Sequence, residues 1–327
     1  MIKRIMGSHW SAYVIDKDGT LVNGNIATPG AAQFLRRIQD NRAPFIIVTN
    51  TGEQSAKDVA ESLHSTLGIC ICAEQIITAR DVAIQQVHMM VADTPRTEVV
   101  AVGANPPCMF PHIDVSADIP TSCRHVIILL LTDGDVPNYY TTMCCVAEYV
   151  RRGARVVTNA ADTFIPDRSS RPFSRRAGPG IFLSAVSTMA SDVQMDVVVA
   201  GKHAASVTLG EMCERRLRDK GFNGNRRDIL MVGDRVDTDM TFGSQMGWST
   251  CLVECGSHSM PQDISFIGND VVDTVTRDLT CVASNMPSPP TRAFTSLINE
   301  ILLTTVSRRR LSTVRLSNSC PARLCDL

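Results

Sequence analysis

Short runs of aliphatic and β-branched residues alternate with stretches in which apolar positions recur every three or four residues. Tyr13-Val14-Ile15 reads as a strand that ends at Asp16. Thr28-Pro29 then looks like a helix N-cap with proline at the first helical position, and Ala31, Phe34, Leu35 and Ile38 follow on one helical face. Phe45-Ile46-Ile47-Val48 predicts a second strand ending at Thr49. A helix from about Ser55 puts Val59, Ala60, Leu63 and Leu67 on one side and stops at Gly68. Strands alternating with amphipathic helices produce a parallel sheet covered on both faces, so the predicted class is α/β with a doubly wound core.

The same alternation returns late in the chain. Val197-Val198-Val199 leads to Gly201-Lys202, a helix runs to about Lys220 and stops at Gly221, and Ile229-Leu230-Met231-Val232 ends at Gly233-Asp234. Between the two halves lie further strand signals at 99–102, 126–131 and 155–157 and a helix signal at 140–150. A second α/β domain inserted into the first accounts for this order, with its exit in the Pro/Gly/Ser/Arg-rich stretch 166–180. The expected organisation is a core from residues 1–80 and 181–306, an inserted domain at 81–180, and a basic tail at 307–327. Stretches 256–263 and 285–290 read as loops, 295–303 as a last short helix, and the tail, with five arginines and no acid before Asp326, as disordered.

Composition narrows the possibilities. The 327 residues, 44% hydrophobic and 20% charged, have room for two domains with hydrophobic cores, and a net charge of -1 gives no electrostatic reason to expect nucleic acid or an acidic membrane as partner. The run 126–131 is far too short for a membrane helix, and no signal peptide precedes Ser11, so a cytoplasmic protein is expected. Twelve cysteines without CxxC spacing predict reduced, mostly buried thiols. Only five of the 32 basic residues are lysines, among them Lys17 and Lys202.

In a sheet of this kind ligands sit beyond the C-terminal strand ends, and the residues predicted there are Asp16, Thr49, Lys202 and Asp234. Asp16-Lys17-Asp18-Gly19-Thr20 offers two acids followed by a glycine turn, and Asp234-Arg235-Val236-Asp237-Thr238-Asp239 adds three more. Alone, each piece has a plain structural reading: a turn, an N-cap, a loop. Together, crowded carboxylates, a hydroxyl and an ammonium suit a phosphoryl group and a hard divalent cation, with magnesium the default.

These segments, with Thr49-Asn50 and Gly201-Lys202, resemble the four motifs of the haloacid dehalogenase (HAD) superfamily of phosphatases. Pro29-Gly30-Ala31 and Thr241-Phe242-Gly243 extend the likeness to the NagD-like branch, which contains p-nitrophenylphosphatase and phosphoglycolate phosphatase. The 33 residues from Asp16 to Thr49 leave no room for a cap domain, whereas the 153 from Thr49 to Lys202 do, which resembles the larger α/β (C2) type of cap. Thr158-Asn159 with Asp162, and Gly178 with Gly180, resemble the family's return from cap to core.

The resemblance implies a magnesium-dependent phosphatase of small phosphorylated metabolites. Asp16 would be the nucleophile that becomes an aspartyl-phosphate, and Asp18 the acid/base. Thr49, Asn50 and Lys202 would bind phosphate. Magnesium would be held by Asp16, the backbone carbonyl of Asp18 and Asp234, with Asp239 one shell out or orienting Lys202, and Asp237 outside. It also implies a homodimer through the cap. A phosphotransferase or phosphomutase of the same superfamily, and a catalytically quiet binding protein, are the alternatives. Two positions depart from the family pattern: His203 replaces the usual proline, and Lys17 lies at a usually apolar position, where strand alternation predicts that it points away from the pocket. Arg168, Arg171, Arg175 and Arg176 read first as a solvated basic loop and second as candidates for contact with a second anionic group.

Overall fold

The structure is a computed structural model and describes residues 10–166, 175–203, 206–254, 272–276 and 278–286. The elements predicted at 295–303 and 307–327 lie outside these residues. Strand β1 (Ala12–Asp16) leads through a small antiparallel hairpin, β2 (Val22–Asn23) and β3 (Ile26–Ala27), to α1 (Ala31–Asp40), β4 (Phe45–Thr49), α2 (Ala56–Leu67), β5 (Ile76–Thr78) and α3 (Ala79–Asp93). Next come β6 (Glu98–Val102), β7 (Val126–Leu130), α4 (Tyr139–Arg151), β8 (Arg155–Thr158), the hairpin strands β9 (Phe164–Pro166) and β10 (Arg175–Ala177), α5 (Pro179–Met189) and β11 (Val197–Val199). The remainder comprises α6 (Val207–Asp219), β12 (Ile229–Gly233), a π-helical turn (Val236–Met240), α7 (Thr241–Gln245), β13 (Ser249–Val253), β14 (Thr274–Thr276) and α8 (Leu279–Asn285).

Two parallel sheets organise these elements. The larger has six strands in the order β14-β13-β12-β1-β4-β5, and the smaller has four in the order β11-β8-β7-β6. The strands of the larger sheet are buried on both faces because helices cover both. On one face α1, α2 and α8 bury Phe34, Leu35, Val59, Leu63 and Val282 against Tyr13, Ile15 and Ile47. On the other, α6 and α7 bury Leu209, Leu217 and Phe242 against Val14, Ile46 and Met231. Trp248 completes this face, with its ring edge-on to Phe242 at 5.4 Å and its indole N–H donating to Glu214 Oε1 at 3.1 Å. The same apolar cluster continues through Val82, Ala83 and Val87 of α3 to Ile127, Leu129 and Val157 of the smaller sheet. The opposite face of the smaller sheet is covered by α4 and α5 through Val146, Val150, Phe182 and Val186.

Helix α2 starts as predicted, with Ser55 and Asp58 forming a reciprocal capping box, and it ends at Gly68 in the left-handed conformation (φ 64°). The start of α1 differs. Gly30 occupies the N-cap position, while Thr28 donates its hydroxyl to the carbonyls of Thr20, at 2.5 Å, and Leu21, at 3.1 Å. Thr28 therefore ties the base of the β2–β3 hairpin to the turn that follows β1.

The expected return to the core at residue 180 is also revised. Helix α5 packs on the smaller sheet, and β11 pairs in parallel with β8, so elements of the smaller sheet continue to Val199. Three predicted strand ends, at Asp16, Thr49 and Asp234, belong to the larger sheet, and Lys202 arrives from the edge of the smaller one. Among the nine described cysteines, all free, Cys123, Cys145, Cys213 and Cys251 are buried, whereas Cys70, Cys72, Cys108 and Cys281 are exposed, so the expectation of mostly buried thiols fails for those four. Among the described residues no helix is long and apolar enough to cross a membrane.

Phe34 lies fully buried on α1 with its ring edge-on to Tyr13 at 5.9 Å. Phe34→Ala removes that packing and leaves a cavity, so it is expected to lower unfolding free energy by about 3–5 kcal/mol, measured by urea denaturation.

Candidate active site

The central strands β12, β1 and β4 run in parallel and adjacent, so their C-terminal ends bring Asp16, Thr49 and Asp234 to one edge. After Asp16 the chain turns at Gly19, which has φ +95°. A Cβ there would collide with the Asp234 carboxylate, so the absence of a side chain lets the loop after β1 lie against the loop after β12. Beyond Asp234 the π-helical turn swings Asp239 back toward the strand end, where its Oδ2 accepts from the Arg235 backbone N–H at 3.1 Å.

Lys202 links these pieces. Its ammonium, only 3% exposed, bonds Asp16 Oδ1 and lies 2.6 Å from Asp239 Oδ1. The other oxygen of Asp16 accepts from the Thr20 hydroxyl at 2.9 Å. Burial, followed by the Asp239 carboxylate, pushes the Asp16 carboxyl well above its ordinary range, Asp234 adds to the rise, and Lys202 pulls the other way. Burial works against the Lys202 charge, but Asp16 and Asp239 hold its affinity for the proton above that of an ordinary lysine.

Asp18 is differently placed. Its side chain is 57% exposed and accepts from Thr49 Oγ1 at 3.3 Å. Lys17 does not point away from the pocket: its Nζ lies 3.2 Å from Asp18 Oδ2 and donates to Gln54 Oε1 at 3.2 Å. Strand alternation does not extend past Asp16, where β1 ends, and Lys17 instead lines the cavity. The amide of Asn50 is occupied at both ends, with Oδ1 accepting from the Lys202 backbone N–H at 2.7 Å and Nδ2 donating to Asp162 Oδ2 at 3.0 Å. Its side chain thus positions protein groups while also lining the cavity. Asp237 pairs with Arg235 at 2.5 Å and is 57% exposed, apart from the buried acids.

A cavity of about 560 Å³ lies over this edge, and its far wall comes from the smaller-sheet layer through Thr132, Asp133, Asn159, Asp162, Ile165 and Arg176. Asp133, which follows β7, accepts from the Thr51 hydroxyl and the Gly52 N–H, each at 2.6 Å. Burial pushes its carboxyl up to about 6, despite those two donors.

Comparison with known proteins matches this architecture. The haloacid dehalogenase-like hydrolase family model matches residues 13–109, and a HAD-hydrolase-like model matches residues 188–278. An acid sugar phosphatase from Staphylococcus saprophyticus is 26% identical over 249 residues, which cover 76% of this chain and 88% of that protein. The ribonucleotide monophosphatase NagD from Escherichia coli is 26% identical over 254 residues, covering 76% and 88%. The chain belongs to the haloacid dehalogenase-like hydrolases, as a NagD-like phosphatase. A crystal structure of a glycerol phosphate phosphatase from Mycobacterium tuberculosis, in complex with magnesium, shares the fold with TM-score 0.64 at 22% identity, over 85% of this chain and 78% of that one.

The donor set of this HAD-like hydrolase fits a divalent cation. Asp16, Asp234 and Asp239, all buried, each offer an oxygen within 4.8 Å of the others. Buried carboxylates at that spacing repel one another, and an all-oxygen set of this charge suits a hard ion. Three members of the site were not anticipated from sequence: Asp133, Gln54 and Thr51. Thr132-Asp133-Gly134 follows a buried strand, so the strand-end rule that found Asp16 would have found Asp133 had it been applied to the inserted layer. Arg176 lines the cavity, and Arg168 and Arg171 lie outside the described residues.

Gly19→Ala is expected to displace the Asp234 carboxylate and weaken divalent-cation binding at this cluster by about 10- to 100-fold, measured by isothermal titration calorimetry.

Proposed function

We propose that this phosphomonoesterase hydrolyses small phosphorylated metabolites in two displacements through Asp16, with magnesium as cofactor. The observation that carries the proposal is the buried Asp16 carboxylate, oriented by Lys202 on one oxygen and Thr20 on the other, with Asp18 facing the same cavity. In the first displacement an Asp16 oxygen attacks phosphorus, an aspartyl-phosphate forms as the ester O–P bond breaks, and Asp18 gives its proton to the departing oxygen. In the second, Asp18 takes a proton from water, whose oxygen attacks the same phosphorus and releases inorganic phosphate and free Asp16. Lys202 and Thr49 offset charge on the phosphoryl oxygens as it develops. Asp239 holds the Lys202 ammonium in place, and Asn50 holds the backbone beside it. Magnesium, held by Asp16, Asp234 and the Asp18 backbone carbonyl, would supply charge neutralisation at the phosphoryl group.

The relatives act, by their names, on sugar phosphates and ribonucleotides. Arg176 on the far wall supports a leaving group with a second anionic group, because among the described residues its closest ion partner is the exposed Asp135, 3.8 Å away.

Release of phosphate from p-nitrophenyl phosphate is expected in the presence of magnesium and not in EDTA, and Asp16→Asn is expected to abolish it. Lys202→Ala is expected to lower kcat roughly 10²- to 10³-fold. Metal-independent release, or normal turnover in either variant, would refute the assignment. Arg176→Ala is expected to raise KM about tenfold for phosphoglycolate while leaving p-nitrophenyl phosphate within twofold, in steady-state assays.

A further inference from the structure

Resting on the phosphatase activity proposed above, we infer that the smaller-sheet layer sets the shape of the phosphate-binding loop after β4, with Asp133 and Asp162 as positioning residues. Residues 50–52 of that loop are gripped from across the cavity. Asn159 Nδ2 donates to the Asn50 carbonyl at 2.8 Å, and Asn50 Nδ2 donates to Asp162 Oδ2 at 3.0 Å. Thr51 Oγ1 and the Gly52 N–H each donate to a different oxygen of Asp133 at 2.6 Å, and the Asp133 N–H returns a bond to Glu53 Oε1 at 3.3 Å. The contact is close enough to involve backbone: a Cβ on Gly52 would lie 2.6 Å from the Thr132 nitrogen and 2.7 Å from Asn159 Cγ.

Asp162 extends the grip to the other strand ends. Its Oδ1 lies 3.1 Å from Arg235 Nη1, and the Arg235 guanidinium stands 5.2 Å from the centre of the Phe164 ring. The Arg235 N–H binds Asp239, and Asn50 Oδ1 holds the Lys202 N–H. One carboxylate of the smaller-sheet layer is thus a single bond from the loop after β4 and from the turn that carries Asp234. A shift of that layer is transmitted to Asn50, Lys202 and Asp239 together. An asparagine at 133 keeps the shape but presents an NH₂ group to one of two donors, and an asparagine at 162 loses the ion pair with Arg235.

The test compares the full-length protein with Asp133→Asn, Asp162→Asn and Thr51→Val. Asp192→Asn serves as control, because it breaks a surface ion pair with Arg151 in the same layer. Three quantities are read: kcat/KM for p-nitrophenyl phosphate, the inhibition constant of inorganic phosphate, and hydrogen exchange of the amides at 50–52 by mass spectrometry. Asp133→Asn and Asp162→Asn are expected to lower kcat/KM and weaken phosphate binding by at least about tenfold and to speed exchange at Gly52, while the control stays within twofold. The double variant Asp133→Asn/Thr51→Val is expected to be no worse than the poorer single variant. Unchanged phosphate inhibition in both variants overturns the inference, even if exchange rises or the melting temperature falls. Should Asp133→Asn fail to fold, Thr51→Val breaks the same bond from the other side and decides the matter. A wild-type protein that releases no phosphate would refute the proposed activity instead, and unaltered exchange in the variants would then overturn the grip as well.

Discussion

The bond between the Lys202 ammonium and the carboxylates of Asp16 and Asp239 is the condition for everything else at the sheet edge. Taking a carboxylate out of water costs several kcal/mol, and a second one nearby adds repulsion. A single buried ammonium reached by two of the acids offsets that cost in part. It also fixes which oxygen of Asp16 is held by charge and which is held by the Thr20 hydroxyl. The remaining excess of negative charge is what makes the place attractive to a hard cation. Removing the lysine while keeping the acids would leave buried like charges uncompensated, so it acts on the electrostatics of the whole site.

The route by which Lys202 arrives explains the architecture around it. It follows β11, the edge strand of the smaller sheet, and not a strand of the sheet whose edge it serves. The site is therefore assembled from both layers: the carboxylates of Asp16 and Asp234 and the hydroxyl of Thr49 come from the larger, and the ammonium from a chain segment just leaving the smaller. Asn50 fastens that segment through the Lys202 N–H. A layer that merely covered the cavity would leave the reacting groups intact when displaced, whereas this one is part of their support.

Much of this was legible in the chain. Continuous aliphatic runs identified β1, β4 and β12, which are buried on both faces, and apolar positions at helical spacing identified α1 and α2, which present one face to the sheet. The residues beyond those strands then fell at the sheet edge, as Asp16, Thr49 and Asp234 do. Helix α3 was missed for a physical reason. It packs between the two sheets, so Val82, Ile84, Val87, Met90 and Val91 spread around it and no stripe stands out. The sheet membership of β11 was hidden too, since three valines fit either sheet. Lys17 was misdirected because strand alternation was carried past the point where the strand ends. Asp133 was open to the strand-end rule, but its partner Gly52, 81 residues away in sequence, was not, because no local pattern contains that pairing.

The apolar cluster that runs from Val14 and Ile46 through α3 to Ile127 and Val157 belongs to both sheets at once. An inserted domain with a private core can melt while its host stays native. Here one face of the smaller sheet is sealed by the same side chains that seal the larger, so separating them exposes apolar surface on each. The shared cluster thus couples the stability of the two layers, and the insertion visible in the order of the chain has no matching gap in the apolar core.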